Sequence, residues 1–460
     1  MPAPASDPAA ILSGRRYVRL LVVAAILGVP ISAAAYGFLA LVAELQRWIF
    51  SDLPRALGFQ GTPLWWPLPL LALAGVLVGL TIRYLPGRGG HSPADGFKAG
   101  GVPAPDQLPG IALAALATLS LGAVLGPEAP LIALGGGLAA WVVGLARRDA
   151  PAQATAVVGA AGSFAAVSTL LGSPLLGAFL LMEASGLGGP MLGLVLVPGL
   201  VAAGVGSLVF VGLDNWTGLG TFSLALPDLP HVGSPTLAEF AWAVVIGLLA
   251  AVVGTTIRRL ALLLRPHVER RLLLATPLVG LAVGTLAVLY AEASGHSVSD
   301  VLFSGQDALG PLMADSATYS VGALVLLLVC KGLAYSASLA AFRGGPVFPA
   351  MYLGAAGGIA LSQLPGLSLV AGVAMGIGAM AVAMLRLPLT SVLLATLLLA
   401  TDGLAVMPLV IVAVAVAYVA TAHLTPEPEP PSPVPPPAAP AEPPVPALKT
   451  TRPQPDSHQG

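Results

Sequence analysis

The chain predicts an all-α polytopic membrane protein built from two related helical halves, with helices broken and re-entrant at Gly/Pro boxes. Three observations carry this. Hydrophobic residues fill 56% of the 460 positions and charged residues only 9%, with a mean hydropathy of +0.90, whereas a soluble domain is about 25% charged. Apolar stretches of about 20 residues, the length that crosses a bilayer as a helix, recur from Leu20 to the region of Leu424. Three short boxes in the first part of the chain are answered, in the same order, in the second.

The boxes set the organisation. Gly90-His91-Ser92-Pro93-Ala94-Asp95 is echoed by Gly295-His296-Ser297-Val298-Ser299-Asp300, and GPEAPLIALG from Gly126 by GPVFPAMYLG from Gly345. Gly172-Ser173-Pro174-Leu175 is echoed by Arg386-Leu387-Pro388-Leu389; the separations are 205, 219 and 214 residues. This implies an N-terminal tail 1–14, a first repeat 15–213, a linker 214–235, a second repeat 236–424 and a tail 425–460. The spacing fits inverted or parallel repeats.

The first span, Leu20 to Leu41, follows Arg15, Arg16 and Arg19. It is too long, and lacks the small-residue cleavage site, for a removed signal peptide, so it is expected to be retained. Further basic clusters occur at Arg83, Arg88 and Lys98, at Arg147 and Arg148, and from Arg258 to Arg271; they are expected on the cytoplasmic side. Trp48, Trp65, Trp66 and Trp216 stand where aromatic rings mark a membrane interface. The last segment, rich in Pro, is expected to be extended and without a packed core.

Net charge is −1, which points to no nucleic-acid partner. One cysteine, Cys330, excludes an intrachain disulfide, and no Cys/His cluster has metal-ligand spacing. No metal or cofactor is expected.

Glu128 is the candidate of most weight, being the only ionisable residue between 107 and 146. Pro127 and Pro346 fit the first position of a helix. The N–H groups of Glu128 and Ala129, and of Val347 and Phe348, would then form anion sites backed by the helix dipoles. Glu128 can fill such a site as a carboxylate and leave it when protonated, a gate that also carries a proton. Ser92, Pro93 and Asp95 have the spacing of an N-cap, repeated in Ser297 and Asp300. His91 and His296 lie beside these caps and are expected to be structural, with proton movement as the other reading. Glu183, the only charge between 150 and 213, is expected either to relay protons or to pair with a basic group. Lys331, Arg343, Arg386 and Asp402 border apolar runs, where snorkelling or structural pairing is expected.

The set and order of GGHSP at 89–93, GPEAP at 126–130 and GPVFP at 345–349 resemble the GSGIP, GxEGP and GxFxP elements of the CLC chloride channel and transporter family. Gly172 to Glu183 and Leu387-Pro388-Leu389-Thr390 resemble two further segments of that family. The resemblance implies a homodimer of inverted-repeat subunits, each with its own pathway for chloride or another small inorganic anion, in exchange for protons or passively. It also implies that Glu128 is the external gating glutamate. Gly90, His91, Ser92, Gly126, Ala129, Gly345, Val347 and Phe348 then surround the anion, with Glu128 and Glu183 as gating or proton residues.

This sequence departs from the family pattern at several points. Gly90 stands where the family usually has an anion-binding Ser, with Ser92 nearby, and Pro346 has no N–H to offer. Glu183 is followed by Ala184, a pattern closer to the family's channels than to its exchangers, and no tyrosine matches the inner gate. Paired CBS domains, and nucleotide control through them, are not expected. The compact architecture fits a bacterial inner membrane. Two other classes remain: an inverted-repeat carrier of a small organic acid, and an intramembrane hydrolase using Ser185 or Ser294 in the EASG segments near His296.

Overall fold

In lipid a backbone N–H or C=O has no water to pair with, so a chain this apolar satisfies its peptide groups within helices. The computed structural model describes residues 14–97, 101–146, 152–186, 190–217, 234–399 and 403–425, and no β-strand occurs among them. Lys98, Arg147, Arg148, Asp402, most of the predicted linker and the Pro-rich tail lie outside the described residues, as does the Trp216 side chain. In the first half run α1 (Arg15–Arg47), α2 (Pro67–Tyr84), α3 (Leu108–Ser120), α4 (Glu128–Ala146), α5 (Ala152–Leu171), α6 (Pro174–Ser185) and α7 (Pro190–Thr217). In the second run α8 (Leu237–Arg270), α9 (Leu272–Ser294), α10 (Val321–Ala341), α11 (Val347–Ser362), α12 (Leu369–Leu385), α13 (Pro388–Leu398) and α14 (Gly403–Leu424).

The two series pack alike. α1 lies on α5 and α7 as α8 lies on α12 and α14; α4 lies on α5 as α11 lies on α12; α5 and α6 meet α7 as α12 and α13 meet α14. Contacts between the halves join equivalent helices, α2 with α9 and α6 with α13. At the centre Gly126 and Gly345 form an antiparallel bridge, each N–H donating to the other's carbonyl at 2.8 and 2.7 Å. A reciprocal bridge between equivalent residues running in opposite directions is a local two-fold, so the halves are an inverted repeat.

The sequence echo extends into the packing. A Cβ at Gly135 would stand 2.6 Å from the Gly162 carbonyl oxygen, and one at Gly354 would stand 2.2 Å from that of Gly376. The same glycine-lined crossing therefore closes α4 on α5 and α11 on α12, the close approach that small residues allow between membrane helices. α12 is buried from Val370 to Leu385. By contrast Val22, Ile26 and Val29 on α1, and Leu248, Leu249, Val252 and Val253 on α8, are exposed, the outward apolar face a bilayer requires.

Nine helices among the described residues are long and apolar enough to cross a membrane, while α6, α11, α12 and α13 are apolar but shorter. α6 has 12 residues and α13 has 11, a rise of about 16–18 Å at 1.5 Å per residue, against roughly 30 Å of hydrocarbon. These are the broken helices expected from the Gly/Pro boxes.

Candidate functional site

The two related boxes deliver two helix N-termini to one place. Glu128 is the first residue of α4, and its carboxyl reaches across the repeat, where Oε1 accepts the N–H of Val347, the first residue of α11. The side chain is fully buried, and Oε2 has no hydrogen-bond partner among the described residues. Two glycines make the room. A Cβ at Gly126 would fall 2.1 Å from Oε2, and one at Gly345 would fall 2.1 Å from Cδ. Phe348 closes the same space, its ring 2.8 Å from the position of a Cβ at Gly126.

The helix start lies one residue later than the sequence predicts. Pro346 is the N-cap of α11, with φ −92° and ψ −3°, rather than its first residue, and Pro127 likewise precedes α4. The missing proline N–H therefore falls outside the helix, and the first true donor of α11 is the one Glu128 engages. Tyr335 on α10, which no motif or spacing singles out, is fully buried and donates its hydroxyl to the Pro346 carbonyl at 2.7 Å. That bond fixes the turn that aims Val347.

Beyond Glu128 lies open space. A cavity of about 620 Å³ is lined by Gly90, His91, Ala129, Ser163, Arg343 and Gly344 among others. A second, of about 350 Å³, shares Arg88, Gly90, His91 and Arg343 and adds Ser92 and Arg265. Gly90 has φ +92° and ψ −171°, backbone that a residue with a Cβ adopts only under strain, so a serine is not accommodated here without moving the loop. Ser92 does not cap a helix as predicted. It precedes a single 3-10 turn, Pro93–Asp95, that ends at Gly96 with φ +87°, and its buried Oγ has no partner among the described residues. Asp95 instead pairs with Arg265 at 2.5 Å.

The echo of this loop is built differently. Ser297 Oγ accepts the Ser299 N–H at 3.2 Å, and Asp300 accepts the hydroxyls of Tyr290 and Tyr319, each at 3.1 Å. The His296 ring stacks on Tyr319 at 4.0 Å. Asp300 lies outside the candidate spans, and its burial raises the carboxyl above the ordinary aspartate range against the opposing pull of the two hydroxyls and Lys331.

Several expectations are corrected. Glu183 has no basic partner among the described residues: its carboxylate accepts the N–H groups of Leu389 and Thr390 at 2.9 and 2.8 Å and the Thr390 hydroxyl at 2.6 Å. It thus caps α13, because two backbone donors and the dipole of a helix N-terminus supply what a cation would. Lys331 does not snorkel. It is fully buried, and Nζ donates to the carbonyls of Asp300, Val301 and Leu302 at 2.9, 3.1 and 3.2 Å, with the Tyr352 ring 4.4 Å away. Ser185 and Ser294 donate to the carbonyls of Met182 and Tyr290 at 3.0 and 2.7 Å, the ordinary bonding of helix-end serines. Of the predicted site residues, Gly126, Glu128, Gly345, Val347 and Phe348 converge on one point, and Gly90, His91, Ser92 and Ala129 line the adjoining cavities. Glu183 stands at the separate α6–α13 contact.

Two facing helix ends inside a bundle of membrane helices, with a buried acid between them and an open cavity alongside, define an ion-transport protein rather than a receptor or a structural bundle. The chain belongs to the voltage-gated chloride channel family, whose sequence profile matches residues 95–422. It is 30% identical over 351 residues to the YfeO proteins of Salmonella paratyphi A and Salmonella newport, covering 75% of this chain and 81% of each relative. Those relatives are named, provisionally, as ion-transport proteins. The fold is also that of a slow cyanobacterial Cl−/H+ antiporter (TM-score 0.69, 20% identity, 88% of this chain and 95% of that one). A CLC-type fluoride/proton antiporter is similar as well (TM-score 0.63, 20% identity, 87% and 95%).

Proposed function

We propose that this chain carries a small inorganic anion of the chloride class across a bacterial inner membrane, with Glu128 as the gate and as the group that takes up a proton when the gate opens. One observation supports this above the others: the Glu128 carboxyl occupies the Val347 N–H, the place a permeating anion would take, while its second oxygen is unpaired. An anion and a carboxylate compete for that donor, and protonation removes the charge that holds the carboxylate there. The Gly126, Ala129, Gly345, Val347 and Phe348 backbone then receives the anion, with the loop Gly90 to Ser92 behind it. The repeats 15–213 and 236–424 form the two walls, and two such chains make the working unit. Glu183, already satisfied by α13, is assigned a structural part.

The test is anion efflux from proteoliposomes with simultaneous pH recording, for the native protein and Glu128→Ala. Chloride efflux in both, with uphill proton movement in the native protein alone, is the expected result. Passive chloride flux with the same pH dependence in both removes Glu128 from gating. Absence of flux for chloride, fluoride, bromide and nitrate in both overturns the assignment of an inorganic anion.

A further inference from the structure

Arg343 lies two residues before the Gly345 box and lines both cavities. Its guanidinium is fixed by backbone, Nε donating to the Arg88 carbonyl at 3.3 Å and Nη1 to that of Phe342 at 3.1 Å. Of its five N–H donors this leaves the Nη2 pair and one on Nη1 without a partner among the described residues. The acids nearby do not neutralise it. Asp95 and Glu269 are both taken by Arg265, at 2.5 and 2.7 Å, and neither Arg343 nor Arg88 has an ion-pair partner among the described residues. Across the smaller cavity, Ser92 presents a buried hydroxyl with no partner among the described residues. A held cation with free donors and an orphan hydroxyl thus share one space, next to a loop where Gly90 can carry no hydroxyl of its own.

We propose that Arg343, with Ser92, forms an anion site at the junction of the two cavities, and that Arg343 makes this chain select planar monovalent oxyanions, of which nitrate is the simplest, over halides. The inference rests on the anion-transport reading and names the substrate class within it. The physical reason is the shape of the donor. The free Nη1–H and Nη2–H point the same way in the guanidinium plane and match two oxygens of a planar oxyanion at once, whereas a spherical halide meets them as a single centre. A serine hydroxyl alone has no such preference. A lysine at this position would keep the charge and lose the fork.

Calorimetric titration of sodium nitrate and sodium chloride into the purified full-length protein in detergent reads the site without requiring transport. The native protein is expected to bind nitrate about tenfold or more tightly than chloride, the scale of one charge-assisted bidentate contact. Arg343→Gln should abolish the preference and weaken nitrate binding by a similar factor, and Arg343→Lys should bind both anions without distinguishing them. Equal affinities in the native protein, or a nitrate preference kept in R343Q, overturn the proposal. If R343Q does not fold, R343K decides, since a nitrate preference retained there is incompatible with recognition by the fork. Nitrate selectivity in the titration with no anion flux in liposomes would refute the transport reading alone; flux with no nitrate preference in binding would refute this proposal alone.

Discussion

Replacing Gly345 by alanine asks whether the Glu128 carboxyl is held by shape as well as by charge. The added methyl would stand 2.1 Å from Glu128 Cδ and 2.2 Å from Oε1, where unbonded heavy atoms settle at about 3.5 Å or more. Gly345 is not in the left-handed region, so alanine fits the backbone and the strain falls on the carboxyl, which must retreat by about an ångström or more. That retreat breaks the bond from the Val347 N–H. A hydrogen bond to a charged group is worth about 1.5–3 kcal/mol, and each 1.4 kcal/mol is about tenfold. The balance between held and released carboxyl should therefore shift about ten- to a hundredfold toward release. In proteoliposomes Gly345→Ala is expected to raise anion flux at neutral pH and to flatten the rise with falling pH that is expected of the native protein. In the Glu128→Ala background the same substitution should add nothing, the non-additivity of two changes acting on one contact. A Gly345→Ala protein that folds and keeps the native pH dependence would refute the reasoning, as would full additivity with Glu128→Ala.

Three further outcomes follow from the polar groups placed away from the gate. Glu183→Gln should lower thermal stability, by about 1 kcal/mol for the lost charge at the start of α13, and leave the pH dependence of flux unchanged; an altered pH profile would return Glu183 to a proton role. Lys331→Met strands the four carbonyls that the ammonium gathers, at a cost of about 3 kcal/mol or more, so the melting temperature should fall by several degrees; an unchanged melt would show that the carbonyls find other partners. For Asp300 the folded pKa is raised by burial, so the folded state holds its proton more tightly than the unfolded chain. That contribution to stability is complete below the unfolded value of about 3.9 and is lost as pH rises through the raised one. Native protein should lose melting temperature across that window and Asp300→Asn should not; parallel curves for the two would assign the loss to another group.

Much of this architecture was legible along the chain. Low charge and repeated apolar stretches of about 20 residues point to helices in a membrane, because such a stretch pairs its backbone within itself there. The 219-residue echo between the Gly126 and Gly345 boxes marks two elements that the fold brings together as a reciprocal bridge. Glu128 stood out because an ionisable residue amid apolar ones is expensive unless used. Where the sequence misled, the partner was distant in the chain. Glu183 was expected to relay protons or to pair with a basic group, and it meets the N-terminus of α13, 206 residues on. Lys331 was expected to snorkel or to pair structurally, and it closes a run of carbonyls from 300 to 303.

The sequence by itself determined the membrane class, the two related halves, the broken helices and the acid at the start of α4, because each follows from local composition and spacing. Only the tertiary structure decided that Glu128 points into the other repeat's helix end, that Tyr335 fixes the turn beside it, and that Arg343 is left with free donors between two cavities. Those facts depend on which side chains meet across more than two hundred residues and on the space that Gly126 and Gly345 leave open. Periodicity and motif spacing describe what a residue is near along the chain; what it donates to or accepts from is set by packing.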